Sequence, residues 1–126
     1  MITKNLKLAI TDKNVSLNKA IMFYQFDKGI QLNIQLDSKD YSIEEITQAR
    51  AIVLKPSGDV IATEKSDVVD GIYSLVLDES WTDEEDEVGT YQIQLQLFGA
   101  DPDAECVSIA PFNMEIKALI GVPPTN

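Results

Sequence analysis

The sequence predicts an all-β fold: an immunoglobulin-like antiparallel β-sandwich with Greek-key connections and at most one short helical turn. The first observation is strict period-two patterning, clearest at residues 90–97, where Tyr91, Ile93, Leu95 and Leu97 share one face and three glutamines share the other. The second is turn signals about every ten residues. A strand with one apolar and one polar face is typical of a sheet packed on one side only, which favours antiparallel architecture.

The first half of the chain is predicted to form five strands connected by turns. The strands are expected at residues 6–10 (with a short continuation at 15–17), 21–26, 30–36, 50–55 and 60–64. Pro56 and Gly58 lie in a turn that predicts a hairpin between the last two strands. Ser42 followed three residues later by Glu45 matches a capping box, which predicts one or two turns of helix in this region.

The second half adds four predicted strands, at residues 71–77, 88–97, 105–109 and 112–118. Pro111 lies between the last two strands and marks a bend or bulge. Tyr91 follows Gly89 and Thr90 at the start of a strand, as in the tyrosine corner of immunoglobulin-like sandwiches. The alternative, that Tyr91 is simply a core residue, stays open.

The chain of 126 residues has the size of one domain, which we place at residues 1–118. Residues 119–126 have no periodicity and contain two prolines. They are therefore expected to be a linker toward a missing C-terminal region.

The composition favours binding over catalysis. The chain has no histidine, which is the commonest general base and metal ligand, and its single cysteine, Cys106, cannot form an internal disulfide. We therefore expect no enzyme activity, no catalytic residues, no cofactor and no metal, with Cys106 buried as a small hydrophobic residue. The N-terminus lacks the apolar core of a signal peptide, and no apolar run approaches membrane-spanning length.

Acidic residues are concentrated in the second half of the chain. The net charge is −11; up to Ser66 there are nine basic and eight acidic residues, and beyond it one lysine and thirteen acids. This charge excludes nucleic acid as a partner and would steer a basic partner. Residues 78–87 contain seven acids, and this segment is a solvated acidic loop, an irregular cation site or a docking loop. The candidate partner-contact residues are Trp81, Asp83, Glu84, Glu85 and Asp86.

Four segments in this order resemble the N-terminal domain of baseplate upper proteins, from tailed phages that infect Gram-positive bacteria such as lactococci. These segments are residues 23–36, 50–59, 71–75 and 89–93, and the resemblance covers roughly residues 1–118. It depends on the order of the strands, an aspartate after the aromatic run, the turn at residues 56–59 and the final strand. None of these features is catalytic.

The resemblance implies a structural adaptor of the phage tail baseplate, made in the host cytoplasm and incorporated into the virion. Such a domain would dock on the tail hub built around the distal tail protein and would support receptor-binding proteins for host adsorption. We also expect the full-length assembly to be a homo-oligomer, because adaptors around a symmetric tail occur in multiples. The alternative is a carbohydrate-binding or adhesin-like sandwich module, which usually displays coplanar aromatic side chains.

Overall fold

Eleven strands and one 3-10 turn are present in residues 1–78, 88–101 and 103–120, the parts of the chain that the computed structural model describes. The strands form two sheets that face each other. The first sheet has the order β2-β1-β4-β8, and the second has β3-β11-β9-β5-β6, with β7 also beside β5 and β10 beside β9. The strands are β1 (Ile2–Thr11), β2 (Asn14–Leu17), β3 (Ile21–Tyr24), β4 (Ile30–Ser38), β5 (Gln48–Leu54), β6 (Val60–Ala62), β7 (Ser66–Asp67), β8 (Ile72–Val76), β9 (Gly89–Phe98), β10 (Cys106–Ser108) and β11 (Phe112–Lys117).

The core lies between the sheets and follows the alternation that the sequence predicts. Along β9, every second side chain from Tyr91 to Leu97 is at most 1% exposed. Leu6, Leu8 and Ile10 of β1 are buried in the same way, as are four alternate residues of β4. The predicted all-β sandwich with a single short helical turn is therefore confirmed.

Both sheets are mixed, so the expectation of a purely antiparallel sandwich needs correction. Strand β1 pairs with β4 in parallel over nine residue pairs, and β11 pairs with β3 in parallel over four. Between β1 and β4 the chain crosses to the second sheet to form β3 and then returns. When the chain re-enters the first sheet as β4, it therefore runs parallel to β1. Side-chain alternation is the same in parallel and antiparallel strands, which is why the pattern could not separate them.

The helix predicted in this region forms as a single short turn. Only a 3-10 turn, Ile43–Glu45, forms in this region, and the Ser42 side chain makes no capping hydrogen bond. The Ser42 hydroxyl instead lies 3.5 Å from a Glu44 carboxylate oxygen. Extended residues on both sides leave no room for a second turn, so the capping-box prediction was wrong.

The register of the strands defines two ends of the sandwich. One end, here called the loop-78 end, holds Ile2, Ile30, Leu54, Leu77 and Gly89 with the strand termini around them. The opposite end holds the 3-10 turn, Gly71 and the connection from Phe98 to Cys106. The predicted hairpin at Pro56 and Gly58 is confirmed and lies at the loop-78 end, where Leu54 pairs with Val60.

Tyr91 is fully buried and points into the core. This agrees with the core interpretation, and the tyrosine corner stays a prediction. The linker at residues 119–126 also stays a prediction, since residues 121–126 lie outside the described residues.

Gly89 fixes the point where the chain enters β9, and its substitution is our first test of the fold. Its φ is +138°, and a Cβ there would lie 3.0 Å from Pro56 Cβ. We expect Gly89→Ala to lower the free energy of unfolding by about 2–3 kcal/mol, because strain and a clash with a stiff ring add together. The matched control is Gly58→Ala, whose φ is +99° with nothing within 4 Å of the new Cβ. It should lose only about 1 kcal/mol in urea denaturation, and equal losses would contradict the role of Pro56.

The buried hydroxyl of Tyr73 makes the stability of the fold depend on pH in the alkaline range. Burial raises the pKa of its hydroxyl, and hydrogen bonds to the Thr63 side chain and the Ala51 backbone offset part of that rise. In the unfolded chain the pKa is about 10. The pKa of Tyr73 is higher in the folded than in the unfolded chain. The stabilisation that its protonated hydroxyl provides is therefore complete below about pH 10 and is lost as the pH rises through the folded pKa.

We therefore expect the free energy of unfolding to fall more steeply above about pH 10 in the wild type than in Tyr73→Phe. Urea denaturation at a series of alkaline pH values measures both slopes. Below about pH 9 the difference between the two proteins should be constant, which provides the internal control. Parallel curves through the alkaline range would show that Tyr73 does not titrate differently in the folded protein.

Candidate interaction surface at the loop-78 end

Exposed apolar side chains are concentrated at the loop-78 end of the sandwich. Among the described residues, nine large hydrophobic side chains are exposed, and only Met22 and Val69 lie away from this end. The other seven lie on the strand termini at the loop-78 end or on the residues that adjoin them: Met1, Ile2, Tyr24, Leu54, Val60, Val76 and Ile120. Val60 and Val76 are 64% and 51% exposed. Such a concentration at one end is typical of an interaction surface.

Backbone hydrogen bonds hold the strand termini at this end together. The Ile2 N–H donates to the Gly29 carbonyl (2.7 Å), and the Gln25 N–H donates to the Lys117 carbonyl (2.7 Å). Gly29 has a φ of +69°, which suits the turn predicted before β4. The surface is therefore built on fixed strand ends from both sheets.

The candidate contact residues Trp81, Asp83, Glu84, Glu85 and Asp86 lie outside the described residues. Their segment is joined to the sandwich at the loop-78 end, because the chain leaves the first sheet after β8 and enters the second sheet at β9. The assignment of these five residues to a partner contact stays a prediction. The exposed apolar strand ends around their points of attachment were missed by the sequence analysis, since alternation does not reveal which strand ends are left uncovered.

Cys106 is exposed, contrary to the expectation that it is buried. It pairs in register with Phe98, whose side chain lies on the face of β9 opposite the core residues Ile93, Leu95 and Leu97. Cys106 therefore points away from the core, and Val107 is the residue of β10 that packs against it. A short strand at the margin of a sheet has too little pattern to fix its register from sequence.

A polar groove with a volume of about 780 Å³ lies at the opposite end. Ser38 organises its wall: its hydroxyl donates to the Ile10 carbonyl (2.9 Å) and accepts from the N–H groups of Asp40 and Tyr41 (3.0 and 3.2 Å). The groove also has Asp37 and Asp70 in its lining. In the part of the chain that the structure describes, no three acidic or cysteine side chains are grouped to hold a metal ion.

The solvent-facing sides of both sheets carry polar side chains bonded to one another. On the first sheet, Asn33 Oδ1 accepts from Gln31 Nε2 (2.7 Å) and from the Ser74 hydroxyl (2.9 Å). On the second, Arg50 Nε donates to Gln96 Oε1 (2.6 Å), and Gln96 Nε2 donates to the Ser108 hydroxyl (3.1 Å). These contacts satisfy the polar groups of the sheet surfaces and explain the polar alternation of the strands.

The four tyrosines do not form the aromatic platform that a carbohydrate-binding module usually displays. Tyr73 and Tyr91 are buried in the core. Tyr24 is 41% exposed at the loop-78 end, whereas Tyr41 lies beside the groove at the opposite end. The placement of these side chains therefore gives no support to the carbohydrate-binding alternative.

The described helical structure is limited to the single 3-10 turn, and no helix there has the length and apolar character needed to cross a membrane. This finding concerns helices in the described ranges alone.

Comparison with known proteins identifies a similar fold. No protein-family model matches the sequence, and no curated protein matches it. Among solved structures, the N-terminal domain of phage TP901-1 ORF48 matches with a TM-score of 0.60 and 12% sequence identity. The match covers 93% of this chain and 99% of that domain. The resemblance to phage N-terminal sandwich domains is therefore confirmed at the level of the fold.

Gln25 is a buried polar side chain at the loop-78 end whose amide nitrogen has no hydrogen-bond partner among the described residues. It is 3% exposed, and its Nε2 makes no hydrogen bond. An unsatisfied buried amide costs about 1–3 kcal/mol. We expect Gln25→Met, which keeps the length of the side chain, to raise the free energy of unfolding by about 1 kcal/mol in urea denaturation.

The control is Gln92→Met, which replaces a glutamine on the solvent-facing side of β9 and should change stability by less than about 0.5 kcal/mol. A loss of stability in Gln25→Met would show that the buried amide is hydrogen-bonded in solution.

Proposed function

We propose that this domain is a non-enzymatic structural adaptor of a phage tail baseplate and is carried in the virion. The proposal rests on one observation: the fold is like that of the N-terminal domain of a phage protein over nearly the whole length of both. The order of the sequence segments that resemble those of baseplate upper proteins favours the same role. In this role the domain docks on the tail hub through the distal tail protein, and the region beyond the linker holds receptor-binding proteins.

The loop-78 end is the surface that we assign to docking. It combines seven exposed apolar side chains with the attachment points of the acidic segment at residues 78–87. Apolar contact area supplies affinity, and the acidic charge steers a basic surface toward it. Copies of the domain repel one another through a net charge of −11 each, so the homo-oligomer is organised by the symmetric hub.

The test mixes the purified domain with the distal tail protein encoded in the same phage genome. We expect the two to co-elute in size-exclusion chromatography at about 50 mM salt and to bind more weakly at about 500 mM, because salt screens exposed charges. A double variant, Glu84→Gln with Glu85→Gln, should reduce the association rate about tenfold in surface plasmon resonance.

The matched control is Glu44→Gln with Glu45→Gln, which removes the same charge from an exposed pair at the opposite end. Its association rate should stay close to that of the wild type. Equal effects of the two double variants would mean that only the net charge matters. Absence of co-elution by a folded domain at either salt concentration would contradict docking on the hub, and clear binding on a glycan array would favour the carbohydrate-binding alternative.

A further inference from the structure

The edge of the first sheet at β8 carries backbone groups that no backbone hydrogen bond between described residues uses. The Leu36 N–H donates to the Gly71 carbonyl (2.8 Å), and the Leu77 N–H donates to the Ile30 carbonyl (2.9 Å). Because bonded pairs alternate along an antiparallel ladder, Tyr73 and Leu75 also bond to β4. The N–H and C=O groups of the residues between them, at positions 74 and 76, point away from β4.

Among the described strands, β8 is the last one of its sheet. None of the backbone hydrogen bonds formed within residues 1–78, 88–101 and 103–120 uses the outward groups of Ser74 and Val76. The outward groups of Ile72 are already occupied, since Ile72 and Val69 exchange hydrogen bonds of 2.9 and 3.1 Å. The free part of the edge therefore runs from Ser74 to the end of the strand, toward the loop-78 end.

The other sheet edges are protected in ways that β8 is not. In the turn before β2, the carbonyl of Lys13 accepts from the Ala110 N–H (2.7 Å), which brings the β10–β11 connection beside one end of that strand. At β3, the Tyr24 N–H donates to the Asp27 carboxylate (3.0 Å). β6 has three residues and is soon followed by the charged residues 64–65. Charges, bulges and coverage of this kind prevent unwanted pairing.

Within the described part of the chain, none of these protections is found along β8. Residues 71–77 contain no charged residue and no proline, and all five residues of the strand pair in regular register with β4. Val76 is 51% exposed beside the free backbone groups. An edge that is regular, uncharged and partly apolar is suited to accept another strand.

Charge decides which strand would fit. Asp78 follows the free part of the edge directly, so a pair of two β8 edges would bring the Asp78 of each copy toward the strand of the other. Each copy also carries a net charge of −11, so self-pairing is opposed at close range and at long range. A segment that places a lysine or arginine beside the end of β8 would instead meet Asp78 favourably.

We propose that the free edge of β8 binds an extended, basic segment of another protein, which adds a fifth strand to the first sheet. The added strand would receive main-chain hydrogen bonds from Ser74 and Val76 and would place small or β-branched side chains beside Val76. Only the identity of the binding protein, the distal tail protein, rests on the proposed function. The edge itself can be tested without it.

The first experiment uses a synthetic peptide of alternating threonine and valine with lysines at both ends. Nuclear magnetic resonance of the labelled domain should show that the amide protons of Ser74 and Val76 become protected from exchange when this peptide is added. The amide protons of Val60 and Ala62, on the edge of the other sheet, should not change. The same peptide with glutamates in place of the lysines should bind about tenfold more weakly.

The second experiment uses Val76→Pro, which removes an N–H that no described backbone group accepts, with Val60→Pro as the matched control. Both valines are exposed and lie on edge strands. Val76→Pro should abolish protection by the basic peptide and weaken binding of the distal tail protein about tenfold, whereas Val60→Pro should change neither. If Val76→Pro does not fold, Val76→Lys replaces it, because an edge lysine opposes strand addition.

The outcomes separate this inference from the proposed function. Protection of Ser74 and Val76 by the basic peptide without binding of the distal tail protein would support the β8 edge and contradict docking on the hub. Suppose instead that the distal tail protein binds without protecting these amides and binds Val76→Pro as tightly as the wild type. This result would overturn the β8 edge and leave hub docking intact. Failure of the basic peptide to protect either amide would also overturn it.

Discussion

The burial of one face of each sheet against the other is the interaction on which the rest of the structure depends. In the described part of the chain, twenty-two buried hydrophobic side chains form this core, and a chain with one cysteine has no internal disulfide to support it. Burying a large aliphatic side chain contributes about 1.5–3 kcal/mol, so the core is the main source of stability. Every strand must therefore keep its apolar face inward, and this requirement leaves partner binding to the edges, the ends and the solvent-facing sides.

The sandwich could be predicted from the sequence because a core on one face of each sheet requires apolar and polar residues to alternate along every strand. The burial of Leu32 and Ile34 in β4 and of Leu75 in β8 follows directly from their spacing. Strand direction was not predictable in this way, since β1 and β4 show the same pattern whether parallel or antiparallel. Cys106 was wrongly predicted to be buried because a strand of three residues is too short to show an alternation of apolar and polar side chains.

The candidate surface was only partly predictable for a related reason. An acidic segment is visible in composition, so residues 78–87 could be selected directly. The apolar strand ends around it, such as Leu54 and Val60, look like ordinary strand residues in the sequence. Their exposure depends on where the partner strands stop, and that is a property of the sheet order. A long-range property of this kind is absent from any short window of sequence.

The acidic charge of the domain compensates for the lack of protection at the edge of β8. A free, uncharged strand edge is a risk for self-association, and β8 lacks the local lysine or proline that usually limits it. A net charge of −11 provides repulsion between copies that acts over about 8–10 Å at physiological salt and does not depend on the edge itself. The same field attracts a basic segment. Charge spread over the domain can therefore keep the edge free until a partner of opposite sign arrives, which a lysine placed on β8 could not do.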